Sequence, residues 1–215
     1  MCYHYGNHLI IWNRDVRHTL KFTNDFEINM KQNLLPAFRL TLVLLVVCCL
    51  IYPALVWAGA QLAPAGGQGE TIRHNGRVVG YDNVGQNFTR PEYFQGRPSA
   101  VDYNAASSAG SNKGPSNPDY LATVQARLDT FLVQNPGVTK AQVPAELLTA
   151  SGSGLDPHLS PAAAAVQVAR VAKARNLAAA KVQALVTEHT QHSAFGPDRV
   201  NVLRLNVALA ALQNR

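Results

Sequence analysis

Cysteine is absent from this chain after position 49. Its three cysteines are Cys2, Cys48 and Cys49. A domain built from the later residues therefore contains neither a disulfide framework nor a thiolate metal site, and packing must stabilise it. Charge is also scarce: 15% of the 215 residues are charged and 47% are hydrophobic. This composition is typical of a folded chain with a hydrophobic core and excludes a disordered one.

Clusters of basic residues are also missing. The net charge is +6, but residues 61–215 carry 14 Lys and Arg against 10 Asp and Glu, with no three basic residues in succession. Basic residues spread in this way are typical of a solvated surface, whereas a nucleic-acid-binding face concentrates them. We therefore expect no nucleic-acid partner.

Motifs of catalysis and metal binding are missing as well. Residues 110–114 have the composition of a phosphate-binding loop without its spacing, and residues 151–154 are out of register with a GxSxG elbow. The Asp-Lys-Thr-Gly phosphorylation sequence does not occur. His189 and His192 have no third ligand nearby in the sequence and are typical of exposed histidines at a helix end. We predict no catalytic residues and no metal site.

One long apolar run is present, and it predicts a membrane helix. Residues 40–60 carry no charge and would span about 30 Å as a helix, the thickness of the hydrocarbon layer. We place the membrane segment at residues 40–62, with Trp57 near one interface. Pro53 lacks an N–H group and predicts a kink after Tyr52.

The flanking charges predict the orientation. Lys31 and Arg39 precede the apolar run, and the next basic residue is Arg73. Because positive charge stays in the cytoplasm, the N-terminus is expected inside and the following domain outside. The alternative is a signal peptide cleaved after the small residues 58–60, but the run exceeds the usual length of a signal core.

The remaining boundaries follow from shifts in composition. Residues 1–29 fit neither a helical nor a strand period and are interpreted as a non-native extension, with Met30 as the expected start. Residues 30–39 form a cytoplasmic lead, residues 63–69 a flexible linker, and residues 70–215 an extracytoplasmic domain.

The outer domain is predicted to be an α-rich α+β fold. Asn75-Gly76 between two β-prone runs predicts a hairpin. Residues 85–118 are rich in Gly, Pro, Ser and Asn and predict a long irregular segment. Four helices are expected: from Pro118 with Asn117 as cap, from Ser160-Pro161 through residue 175, at 178–189 and at 202–212. The first has an apolar stripe at Leu121, Val124, Leu128, Phe131 and Leu132, and the last has one at Val202, Leu205, Leu209 and Leu212.

A Gly/Ser loop at residues 150–161 leads into a capped helix. Backbone N–H groups at such a helix start can hold an anion, and the helix beyond carries Arg170, Lys173 and Arg175. An ordinary turn and cap explains the same pattern. A secreted or membrane-anchored enzyme acting through residues 151–161 is the alternative function.

The sequence resembles the C subunit of the Kdp potassium-transporting ATPase from about Met30 to Arg215. The resemblance is carried by Tyr52-Pro53 and by the following segments: GQNF at 85–88, YFQGRPSA at 93–100, GSN at 110–112, SNP at 116–118, VPAELLTASGSGLD at 143–156, LSP at 159–161, RVAKARNL at 170–177 and VNVLRLNVAL at 200–209.

This resemblance implies an accessory, non-catalytic subunit of an ATP-driven potassium uptake complex in the bacterial inner membrane. The implied partners are a channel-like potassium-translocating subunit and a P-type ATPase subunit, with or without a small fourth subunit, besides membrane lipid. The family is described as needed for assembly and as raising the nucleotide affinity of the ATPase subunit. No cofactor is expected on this chain, and ATP and potassium belong to the complex.

The resemblance and the two unusual loops together give the candidate residues for partner contact or for the nucleotide effect. Because a domain outside the membrane cannot touch cytoplasmic ATP, such an effect must be transmitted through the partners. The candidates are Gln86, Asn87, Phe88, Arg97, Pro98, Ser99, Ser153, Gly154, Leu155, Asp156, Ser160, Gln167, Arg170 and Arg175.

Overall fold

The computed structural model describes residues 32–213, so the expectation for residues 1–29 lies outside the described residues. The chain divides into two units, Met1–Gly67 and Gln68–Arg215.

The first unit contains the apolar helix α1, Gln32–Ala60. The helix is 29 residues long, and its most apolar stretch of 18 residues has a mean hydropathy of 2.6. At about 1.5 Å per residue it is long enough to cross a bilayer. Its length and composition match those of the membrane helix expected at residues 40–60. It begins eight residues earlier, so the described part of the expected lead is helical too.

The centre of α1 departs from regular α-helical hydrogen bonding. Val47–Ile51 form a π-helical turn, and the backbone N–H of Tyr52 donates to the carbonyl of Val47. Pro53 follows directly. The helix is therefore irregular next to Pro53, in the form of a π turn. The kink after Tyr52 stays a prediction.

A tight turn follows α1 at Pro64–Gly67. Ala65, Gly66 and Gly67 all have positive φ angles, of 55°, 61° and 74°. A Cβ atom at Gly67 would lie 2.9 Å from the Cβ of Ala60, so only glycine fits there.

The second unit begins with a two-stranded antiparallel hairpin, β1 (Thr71–His74) and β2 (Arg77–Tyr81). Asn75 and Gly76 join the strands with φ angles of 50° and 77°. Both turn positions thus adopt the left-handed region that a two-residue hairpin turn needs. The predicted hairpin is confirmed.

Helix α2, Pro118–Gln134, begins where the sequence predicts. The side chain of Asn117 accepts a hydrogen bond from the Tyr120 N–H at 3.1 Å and caps the helix. Leu128 and Phe131 of the predicted stripe are buried, but Leu121 is 52% exposed. Leu121 shares the helical spacing of the stripe, but it lies in the first turn of α2, where the core does not extend.

The single helix predicted through residue 175 was also wrong, because the structure has two. Helix α3 is Pro161–Ala165 and helix α4 is Val168–Arg175. The backbone N–H of Gln167 donates to Ala164, three residues back, which tightens the chain between them. The Ala-rich sequence has no Gly or Pro at this break, so its helical period continues across it.

Helices α5 (Ala179–Glu188) and α6 (Val202–Gln213) confirm the last two predicted helices. Strands β3 (His158–Leu159), β4 (Thr190–Gln191) and β5 (Arg199–Asn201) form a small antiparallel sheet in the order β3-β5-β4. The sequence did not predict this sheet, because two or three residues are too few for a strand period. The helices and this sheet enclose a core that includes Phe94, Leu159, Val171, Val182, Val200, Leu205 and Leu209.

Candidate functional site

Two amide side chains fix the irregular segment of residues 85–104 to the helices. The Phe94 N–H donates to Asn206 Oδ1 at 2.8 Å, and Asn206 Nδ2 donates to the Phe94 carbonyl at 2.9 Å. Gln167 forms the same pair of bonds with Gln95, at 2.9 and 3.1 Å. Both amides are buried. They satisfy backbone groups that would otherwise be buried without a partner.

Two arginines of α4 hold the neighbouring part of this segment. Arg170 Nη1 donates to the carbonyls of Pro91 and Tyr93 at 2.6 and 3.0 Å, and its Nη2 donates to Gln167 Oε1 at 2.7 Å. Burial lowers the pKa of Arg170 to about 10, so the guanidinium is still charged at neutral pH. Arg175 donates to the carbonyl of Glu92 at 2.7 Å and lies 5.0 Å from the centre of the Tyr93 ring.

The two loops that the sequence singled out lie side by side. The Gly85 N–H donates to the Leu155 carbonyl at 2.7 Å, and the Ser151 N–H donates to the Pro98 carbonyl at 3.2 Å. A Cβ atom at Gly85 would lie 2.6 Å from the carbonyl oxygen of Asp156. The absence of a side chain at Gly85 therefore allows this close approach.

A charged pair lies at the junction of the loops. Arg97 Nη1 is 3.1 Å from Asp156 Oδ2, and both side chains are 27% exposed. The His158 N–H donates to Asp156 Oδ1 at 3.0 Å. Burial alone would raise the pKa of Asp156, but the hydrogen bonds from His158 and the charge of Arg97 outweigh it and lower the pKa. Asp156 is therefore an ionised group held between loops.

The start of α3, where the sequence left open an anion site or an ordinary cap, is occupied by side chains of the chain itself. The Ser160 hydroxyl caps the helix by accepting from the Ala163 N–H, and it also donates to the Glu146 carboxylate. The Ser160 N–H donates to Glu146 Oε1 at 3.2 Å. Of the two interpretations of this segment, an anion site and an ordinary turn and cap, these contacts fit the turn and cap. The basic residue Arg170 faces a different segment.

A cleft of about 650 Å³ opens between the irregular segment and α2. Tyr103 donates a hydrogen bond to the Arg97 carbonyl, and burial raises its pKa against the opposing charge of Arg127. Ser99 Oγ accepts from the Tyr103 N–H at 2.9 Å and fixes the turn. The lining residues from the irregular segment are Asn87, Phe88, Thr89, Gln95, Gly96, Pro98, Ser99, Asp102 and Tyr103; Thr123, Ala126, Arg127, Thr130, Phe131, Gln134 and Leu147 complete the cleft.

The predicted residues thus separate into two groups. Asn87, Phe88, Pro98 and Ser99 line the cleft. The others bond within the fold, as Gln86 does to the Val79 carbonyl and Ser153 Oγ to the Leu155 N–H.

Three residues of this region were missed by sequence reasoning. Asp102 lies in a Gly/Ser-rich segment and Arg127 lies on α2, and neither belongs to a motif in the sequence that would mark it. Asn206 interrupts the apolar run of α6, and this buried polar position was a signal that could have been used.

Among residues 32–213, no three His, Cys, Asp or Glu side chains lie close enough together to hold a metal ion. His192 Nδ1 lies 2.9 Å from Asp198 Oδ2, and His189 Nδ1 is 3.1 Å from the Leu185 carbonyl. The two histidines therefore have separate partners.

Comparison with known proteins gives a consistent result. The family described as the c chain of the K+-transporting ATPase matches residues 34–211. The potassium-transporting ATPase KdpC subunit of Flavobacterium johnsoniae is 54% identical over 182 residues, which cover 85% of this chain and 100% of that protein.

Two further relatives carry the same name. The KdpC subunit of Bacteroides fragilis (strain ATCC 25285) is 48% identical over 190 residues, covering 86% of this chain and all of the relative. That of Methylococcus capsulatus is 48% identical over 185 residues, covering 83% of this chain and 97% of the relative. Since the family match includes both α1 and the α+β domain, the chain belongs to the KdpC family, the c chains of K+-transporting ATPases.

Proposed function

We propose that this chain is a non-catalytic, membrane-anchored subunit that assembles a potassium-transporting ATPase. The observation that carries the proposal is the family match, which covers both α1 and the α+β domain. The partners would be a potassium-translocating subunit and an ATPase subunit, with or without a small fourth subunit. Potassium and ATP would bind to these partners, and this chain would contribute contacts.

We further propose that α1 crosses the inner membrane with its N-terminal end in the cytoplasm and the domain of residues 70–215 outside. Arg39 precedes the apolar run, and no basic residue follows before Arg73. This distribution supports an N-in orientation. Protease added to spheroplasts would then digest the domain after residue 63, and full protection, with access to the outer face verified, would refute the orientation.

The cleft and the joined loops are the proposed contact surface for the partners. The cleft exposes hydrogen-bonding groups such as Asn87 and Ser99 beside the half-buried aromatic residues Phe88 and Tyr103. Mixed polar and aromatic surfaces are common at protein interfaces. Any effect on nucleotide affinity would pass through this contact as coupling between distinct sites.

The alternative, an enzyme acting through residues 151–161, has no support in the local geometry. Ser151 Oγ accepts from the Gly154 N–H at 2.9 Å, and Ser153 Oγ accepts from the Leu155 N–H at 3.1 Å. Ser160 caps α3 and contacts Glu146. These contacts are typical of a turn and a helix cap.

Co-expression of a tagged chain with its partner subunits tests the proposal. Pull-down in detergent is expected to recover large multi-spanning proteins with potassium-stimulated ATPase activity, while the isolated chain hydrolyses no ATP. ATP hydrolysis by the isolated chain that is abolished by substitutions at its own residues would refute a non-catalytic role. Recovery of the chain alone would refute its role in assembly.

A further inference from the structure

The π turn of α1 leaves one backbone carbonyl without its usual donors. In an α-helix the carbonyl of Cys48 accepts from the N–H of residue 52, and in a π turn from that of residue 53. The N–H of Tyr52 donates instead to Val47. Residue 53 is proline, which has no N–H. Neither helical donor is therefore available to Cys48.

The neighbouring carbonyl, that of Cys49, also lacks one of its helical hydrogen-bond donors. The α-helical donor for Cys49 would be the N–H of residue 53, which proline lacks. The helical donor that remains within reach is the N–H of Ala54, five residues ahead. The carbonyl of Cys48 is thus the free acceptor, and that of Cys49 lies next to it.

The side chains of α1 do not fill this position. The Thr41 hydroxyl donates to the Ala37 carbonyl at 2.9 Å, and Gln61 Nε2 donates to the Trp57 carbonyl at 3.3 Å. A Ser, Thr or Cys at position 52 could reach back to the carbonyl of Cys48. Position 52 is tyrosine, whose rigid ring carries the hydroxyl away from its own backbone. A donor must come from outside this helix.

The surroundings of this carbonyl raise the free-energy cost of leaving it without a hydrogen bond. Cys48 lies near the middle of the uncharged run at residues 40–60, where a bilayer contains no water. Lipid chains have no donor, and a polar backbone group left unsatisfied in hydrocarbon costs several kcal/mol. Residues 32–59 are all exposed, so this surface is open for a neighbour.

We propose that the carbonyl of Cys48 accepts a hydrogen bond from an uncharged donor side chain on a transmembrane helix of a partner subunit. A hydroxyl or amide group fits, because a charged donor at the bilayer centre is costly. The small side chains of Cys48 and Cys49 allow a neighbouring helix to approach closely. The inference rests on the proposed function, since it requires that α1 be assembled with membrane partners.

The cysteine content of the chain allows a direct test by infrared spectroscopy. In a Cys2→Ser, Cys49→Ala variant, cysteine isotopically labelled at its carboxyl carbon and oxygen marks Cys48 as the one labelled carbonyl of this chain. The labelled chain is then assembled with unlabelled partner subunits. The labelled amide I band is measured for the isolated chain in bilayers and for the assembled complex. The band is expected to move to lower frequency on assembly, as a carbonyl does when it gains a hydrogen bond.

A Pro53→Ala variant is the second arm, because it restores the missing N–H group. Its labelled band should already lie at lower frequency in the isolated chain and should not move on assembly. Co-purification of the partners with this variant is expected to fall roughly threefold, the effect of one interhelical hydrogen bond. A matched Cys2→Ser, Cys48→Ala chain labels Cys49 and should show a smaller shift on assembly.

The outcomes separate this inference from the proposed function. If the complex forms and the labelled band of Cys48 does not move, the inference is refuted and the function stands. A chain that assembles with no partner refutes both.

Discussion

Arg97 donates a hydrogen bond to Asp156 at 3.1 Å and thereby joins two loops that lie 59 residues apart in the sequence. The pair is reinforced by the backbone bond between Gly85 and Leu155. The Nε atom of Arg97 is buried and makes no hydrogen bond to the described residues. The guanidinium therefore depends on Asp156 for its charge partner.

The first prediction removes this partner. Asp156→Asn is expected to lower the free energy of unfolding by about 1–2 kcal/mol at neutral pH, because a partly buried guanidinium loses a charged hydrogen bond. Denaturant unfolding of the chain in detergent measures the change. Arg90→Ala is the control, since the Arg90 side chain, 3.6 Å from Glu92, is 74% exposed. An equal loss in both variants would contradict the special role of Asp156.

The second prediction concerns pH. The folded protein lowers the pKa of Asp156, so its contribution to stability is complete above the unfolded pKa of about 3.9 and disappears as the pH falls through the folded value. The Asn variant has no such titration. The difference in unfolding free energy between the wild type and Asp156→Asn should therefore shrink below about pH 4. A difference that stays constant down to strongly acidic pH would show that Asp156 does not titrate in this way.

The third prediction uses two glycines of the same loop. Gly154 has a φ of 68°, and a Cβ atom there would lie 2.8 Å from the Ala109 carbonyl oxygen. Gly152 has open space around the same position. Gly154→Ala is expected to cost at least about 2 kcal/mol, while Gly152→Ala stays within about 0.5 kcal/mol. Thermal unfolding compares the two, and similar midpoints would contradict the packing described here.

The fourth prediction tests the amide that holds the irregular segment. Asn206→Leu leaves the buried N–H and carbonyl of Phe94 without partners and should cost about 2–4 kcal/mol. Gln125→Leu is the matched control, because Gln125 bonds to Asp129 on the exposed face of α2. Hydrogen exchange at Phe94 should rise in the first variant and not in the second. Unchanged protection at Phe94 would exclude this role for Asn206.

The fifth prediction separates the contribution of α1 to assembly from that of the α+β domain. Replacing residues 40–60 with a plain poly-Leu span should preserve insertion, because length and apolarity suffice for it. Assembly should weaken but persist, since contacts between membrane helices contribute only about 0.6–2 kcal/mol each. Co-purification of the partner subunits measures the loss. Wild-type recovery would assign the whole docking affinity to the domain.

The sequence predicted those parts of the fold that have local signals. The turn at Asn75-Gly76, the cap at Asn117 and the apolar run of α1 all depend on residues close together in the chain. The break between α3 and α4 has no local signal, because it accommodates Gln167, whose side chain bonds to Gln95 72 residues away. Tertiary contacts overrode helix propensity at this point.

The candidate site was predicted in outline. The sequence identified both loops, and the structure places them in contact. It could not separate residues that line the cleft, such as Asn87, from residues that hold the loops, such as Arg170. Both kinds occur in the same short segments, and only their three-dimensional partners distinguish them.

The hydrogen bonds between Asn206 and Phe94 also have a consequence for biogenesis. The two residues are 112 positions apart, so the ribosome must add most of the domain after Phe94 before its partner exists. Contacts of such long range are slow to form and leave intermediates open to proteolysis. A nascent chain synthesised only as far as α5 has Gln167 in place but lacks Asn206. The segment around Phe94 would therefore remain accessible to quality-control proteases until α6 has been synthesised and Asn206 can bond to Phe94.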